Sequence, residues 1–142
     1  MKLSEWSEKS MYSYASGPWG RRVIVRAITD LDTGEDPVVY ATIDPGSREQ
    51  PLVTIRVLAA LTVGLATAIV TTDPTHAQDA RMSIVIVPWS TIASTLRLEV
   101  SGDPDDRLTV VVTIGDETIE ARRDERAALT EFYLEASRVA NA

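Results

Sequence analysis

The chain has 142 residues and no cysteine, and its fourteen basic and twenty-one acidic residues leave a net charge of −7. The missing thiols exclude a disulfide framework, a thiolate metal site and a cysteine nucleophile. The acidic balance argues against a nucleic-acid backbone as partner, which wants a basic stripe, and the length suits one domain burying roughly 68% of its unfolded surface.

Residues 1–20 are polar and irregular yet carry Trp6, Met11, Tyr12, Tyr14 and Trp19. A disordered tail seldom holds so many large rings. The stretch reads either as an arm fastened to its own domain or as a contact for a second subunit through Trp6, Tyr12, Tyr14 and Trp19, since aromatics are enriched at interface centres. MKLSEWSEKS has no apolar core after its lysine, so it does not read as a secretory signal, and a cytoplasmic location is expected.

A single β-rich domain is expected over 21–142. RRVIVRAIT (Arg21–Thr29) reads as a first strand with Val23, Val25 and Ala27 on one face and Ile24 and Ile28 on the other. The acidic loop DLDTGEDP separates it from an antiparallel return, VVYATI (Val38–Ile43), and DPGSREQP forms the next turn. In Pro51–Thr72, two strands joined near Ala60–Thr62 are preferred to a buried helix through Leu58, Leu61, Leu65 and Ala68; one strand of that length is implausible. Val57–Thr72 is an uncharged run of sixteen residues with four threonines. That falls short of the roughly twenty apolar residues of a membrane-spanning helix, so it reads as core.

DPTHAQDA (Asp73–Ala80) reads as a loop and MSIVIVP (Met82–Pro88) as a strand with apolar residues on both faces. TLRLEV (Thr95–Val100) then alternates, as does LTVVVTI (Leu108–Ile114). Gly115-Asp116 fits a type II′ hairpin turn before a short return, Glu117–Ala121. A helix is expected over 124–140, started by Asp124, with Leu129, Phe132, Ala136 and Val139 forming one apolar stripe. Seven or eight strands with a closing helix predict a mainly β fold with one C-terminal α-helix: a strongly curved antiparallel sheet or split barrel capped by that helix.

The order strand, VPWSTIAS, strand, strand, Gly-Asp turn, strand and closing helix resembles the C-terminal half of bacterial pleckstrin-homology-like domains. The resemblance spans Met82 to about Ala140 and rests on Pro88, Trp89, Gly115 and Phe132. Phosphoinositide-binding members carry lysine and arginine in an early loop, where this chain has Asp30, Asp32, Glu35 and Asp36. What the resemblance implies is therefore a PH-like barrel of the scaffold or protein-binding kind.

No residue is assigned to catalysis, a metal or a cofactor. Asp30, Asp32, Glu35 and Asp36 around Gly34 misplace the glycine of a calcium loop and set Ala41 where its bidentate carboxylate belongs, so they read as an acidic turn, as do Asp103, Asp105 and Asp106. His76, the one histidine, stands with Asp73 and Asp79 in D-x-x-H-x-x-D, too few ligands for a metal site. No glycine-rich phosphate loop follows any strand. Arg122, Arg123 and Arg126 alternate with Glu120, Asp124 and Glu125 and read as solvated surface. The leading reading is a non-enzymatic protein-interaction or structural module that pairs with itself, with no nucleic-acid or membrane partner. A virion or other assembly subunit is one alternative. A small-molecule binder or enzyme using the sheet interior is another, with Trp89, Tyr40 and His76 lining the cavity.

Overall fold

The computed structural model describes residues 1–8, 24–31, 36–44, 46–73, 76–105 and 107–142. Two short helices, α1 (Leu3–Glu8) and α2 (residues 24–31), precede a four-stranded antiparallel meander. Its strands are β1 (Val39–Asp44), β2 (Val53–Ala60), β3 (Gly64–Asp73) and β4 (His76–Pro88), in that spatial order. A one-turn helix, α3 (Trp89–Ile92), and a 3₁₀ turn (Ala93–Thr95) lead into a second antiparallel sheet. That sheet comprises β5 (Arg97–Gly102), β6 (Leu108–Ile114) and β7 (Glu117–Arg122), and α4 (Glu125–Ala140) ends the fold.

The two sheets are open, of four and three strands, and neither is closed or strongly curved. This corrects the split barrel, and with it the PH-like barrel implied by the resemblance. Barrel closure needs one continuous hydrogen-bonded ladder, and here Pro88 and the helical residues after it break the ladder between β4 and β5.

Residues 24–31 are helical where a strand was expected. Ile24 and Ile28 stand four apart and are fully buried on one helical side, against the sheet. Thr29 Oγ1 donates to the Val25 carbonyl one turn earlier, at 2.7 Å. The β-branched content suggested extension, but that propensity is a weak prior that burial overrides. The expected loop 73–80 also differs, because β4 begins at His76. Residues 52–72 are two strands, with Leu61–Val63 between them.

Both faces of the first sheet are covered. Ile55, Val57 and Ala59 of β2, with Ala66, Ala68 and Val70 of β3, meet Leu3 and Trp6 of α1 and Ile24 and Ile28 of α2. On the opposite face Val38, Tyr40, Leu58, Ala60 and Leu65 meet α4 through Leu129, Phe132 and Ala136. The other side of α4 packs on Val110, Val112, Ile119 and Ala121 of the second sheet. The helix is thus a shared core element holding two sheets together. Its stripe follows the expected residues, with Val139 partly buried.

Polar contacts tie these layers. Trp89 Nε1 donates to the Leu61 carbonyl at 2.7 Å within the core. Tyr40 Oη donates to Glu125 Oε2 at 3.3 Å, joining β1 to the start of α4. Arg56 of β2 pairs with Glu117 of β7, bridging the sheets directly. The β6–β7 connection is the two-residue turn expected at Gly115-Asp116, flanked by the Ile114–Glu117 pair, with Gly115 at φ +60°. A type II′ turn requires a positive φ at that first position.

Candidate functional site

Strand β4 lies at the edge of the first sheet, paired on one side with β3 and on the other with no strand among the described residues. It is thirteen residues long, against a usual strand length of about five or six. Register places its side chains. Ile86, Ile84 and Met82 stand opposite Ala66, Ala68 and Val70, on the face that carries α1 and α2. Val87, Val85 and Ser83 stand opposite Leu65, Thr67 and Ile69, on the face toward α4.

The helices cover the middle of the sheet better than this edge. Met82 is 38% exposed, Val85 59% and Ile86 36%. Ile69 of β3 is exposed beside Ser83. Between Arg81 and Pro88 the strand holds no charge at all. An unpaired row of peptide groups flanked by apolar side chains is a template for another strand. Soluble proteins normally blunt such edges with lysine, proline, a bulge or shortness. β4 has proline only at its last position and a register shift only at its first end, near Thr71 and Asp73.

Of the residues proposed from sequence for an interface, Trp6 is buried in the core under α1. Its ring is committed to the protein's own packing. Tyr12, Tyr14 and Trp19 lie outside the described residues. Of the proposed cavity residues, Trp89 and Tyr40 are brought into one core cluster. The cavity beside Tyr40, shared with Thr42, Arg56, Leu58 and Ile119, measures about 10 Å³, room for about one water. His76 opens β4, at the far end of that strand from Trp89.

Two described aspartates of the acidic segments accept hydrogen bonds from backbone N–H groups. Asp36 accepts hydrogen bonds from the backbone N–H of Ser4, at 2.9 Å, and from the Ser4 hydroxyl. It thereby caps the first turn of α1 from 32 residues away in sequence. Partial burial pushes its carboxyl up, but the two Ser4 bonds and the nearby Lys2 charge outweigh this and hold it below its ordinary value. Asp103 Oδ1 accepts from the N–H groups of Asp105 and Arg107 at 2.9 and 3.0 Å, closing the β5–β6 loop on itself. Of the early acidic segment, residues 32–35 lie outside the described residues, as does Asp106. Among the described residues no group of three or more histidine, aspartate or glutamate side chains is placed to hold a metal ion. Among the same residues no helix is long and apolar enough to cross a membrane.

The apolar run of β4 was legible in the sequence; its position at an edge was not, because strand order follows from pairing between distant segments. Comparison of the chain with protein-family models, with curated proteins and with solved structures gave no match.

Proposed function

We propose that this protein is a non-enzymatic interaction module that associates with a second copy of itself by pairing β4 with β4. The observation that carries this reading is the long, uncharged, exposed edge from Met82 to Val87. The strand's own order supports a two-fold partner. In an antiparallel pair centred on Ile84, Ile84 faces its counterpart, Met82 faces Ile86 and Ser83 faces Val85 of the other copy. Apolar side chains then meet apolar side chains on the helix-covered face, and no like charges are set opposite each other along the exposed run. Two four-stranded sheets would become one of eight, the isologous arrangement that most homodimers use. Such pairing closes at two copies, which separates it from an open assembly subunit.

Size-exclusion chromatography with light scattering, over a wide range of concentration, tests the reading. The chain mass is 15.5 kDa, and a species of twice that mass is expected. Val85→Lys places a charge at the most exposed apolar position of the edge and should give a folded monomer. A wild-type protein monomeric at every concentration would overturn the proposal, and a Val85→Lys dimer as tight as wild type would remove β4 from the interface.

A further inference from the structure

The fold gathers a second feature that the first proposal does not use. Arg122 ends β7, Arg123 follows in the turn into α4, Arg126 lies in the first turn of that helix, and Arg107 comes from the loop before β6. Together with Leu108 and Asp103 they line an open cleft of about 390 Å³ at the end of the second sheet. That is within the size range of small-molecule sites. Among the described residues, four guanidinium groups against one carboxylate give the cleft a local positive charge inside a chain of net charge −7.

Among the described residues, two nearby carboxylates are engaged elsewhere. Glu125 is drawn across the core boundary to Tyr40. Asp103 spends one carboxylate oxygen on the N–H groups of its own loop. The described ion pairs of arginine join Arg56 to Glu117, Arg97 to Glu99 and Arg138 to Glu135, and none involves a cleft arginine. Arg126 is also held in place, because its Nε donates to the Arg123 carbonyl at 3.1 Å. Its two terminal nitrogens are left for another acceptor, and fixing the fork lowers the entropy lost on binding an oxyanion.

We propose that this cleft binds a small soluble ligand through a phosphate or pyrophosphate group. Several guanidiniums around one concavity match the charge and the multiple acceptor oxygens of such a group, which arginine bonds in bidentate fashion. Leu108, half-exposed at the cleft wall, offers an apolar surface for the rest of the ligand.

Inorganic pyrophosphate is the probe, titrated calorimetrically into the full chain at low ionic strength, with matched chloride as the blank. Saturable binding is expected. Replacing Arg122 and Arg126 together by glutamine should weaken it by about tenfold or more, the scale of losing one or two charge-assisted hydrogen bonds. Arg97→Gln removes a charge of the same sheet already paired with Glu99, and should change affinity by less than about twofold by the same scale. Arg123→Gly is the folding control. Arg123 has φ +55°, a left-handed conformation that glycine adopts freely, so this variant should stay folded by circular dichroism while binding more weakly. Absence of saturable binding by the wild type would overturn the proposal, as would an Arg97→Gln loss equal to that of the double variant. Tighter binding of oligothymidylate than of pyrophosphate, with a steep salt dependence, would also overturn it and assign the patch to a nucleic-acid backbone.

Discussion

If α4 is the element that holds the two sheets together, truncating Phe132 should loosen the whole domain. Its ring is fully buried in the cluster that includes Tyr40 and Leu58 of the first sheet and Val112 and Ile119 of the second. Phe132→Ala removes the largest side chain of that helix's buried stripe and leaves a cavity with walls on both sides, where neither sheet can relax inward without shifting the other. Such truncations cost roughly 3–5 kcal/mol, a large part of the 5–15 kcal/mol that stabilises a typical domain by the usual order of magnitude. At about 2–4 °C per kcal/mol for a chain near this size, the melting midpoint should fall by roughly 10 °C. Leu134 of the same helix is 61% exposed, and Leu134→Ala should stay within about 0.5 kcal/mol of wild type. Urea unfolding followed by far-ultraviolet circular dichroism and by tryptophan fluorescence provides the assay. Trp6 reports from one face of the first sheet and Trp89 from the other. A Phe132→Ala loss below about 1 kcal/mol, the level of an ordinary mutation, would refute the shared-core role of α4.

Three further substitutions examine the remaining layers. In Gly64→Ala the new Cβ would stand 2.3 Å from the Val87 carbonyl oxygen; β3 and β4 must part at that end, and thermal unfolding should show a loss of about 1–3 kcal/mol, as for other overpacked sites. Trp89→Phe removes the donor to the Leu61 carbonyl, though Gly64 N–H still reaches that oxygen at 3.3 Å. The cost should be about 1–2 kcal/mol in urea unfolding, with the slope unchanged. Asp36→Asn weakens the α1 cap in a pH-dependent way. Because the folded carboxyl sits below its ordinary value, its contribution is present above the unfolded pKa, about 4, and is lost as pH falls through the folded one. Wild type and Asp36→Asn should therefore differ most at neutral pH and converge in acid, as melting curves across pH would register.

Legibility differed between the two halves for a physical reason. From Arg97 onward each element is specified by neighbours in sequence: alternation gives β5 to β7, glycine gives the turn, and a stripe gives α4, with Leu129, Phe132 and Ala136 buried as their spacing implies. Residues 24–31 carry the opposite case. RRVIVRAIT holds both a two-residue and a four-residue pattern, and the surface offered by β1 to β3 selects the helix, placing Ile24 and Ile28 together. The sheet's edge is harder still to read. VTIRVLAA of β2 and MSIVIVP at the end of β4 carry the same double-faced apolar signature, yet β2 lies between two strands and is largely buried while Met82, Val85 and Ile86 are exposed. No periodicity distinguishes a central strand from an edge, because the difference lies in which segment pairs next. The arginine cleft obeys the same logic. Arg122, Arg123 and Arg126 are interleaved with acids along the chain, but β7 must pair with β6, setting Arg122 opposite Thr109 and so beside the loop that holds Arg107. Glu125 meanwhile turns to Tyr40. Strand register thus gathers arginines that local pattern scatters among acids, and both candidate surfaces arise from pairing that local pattern does not encode.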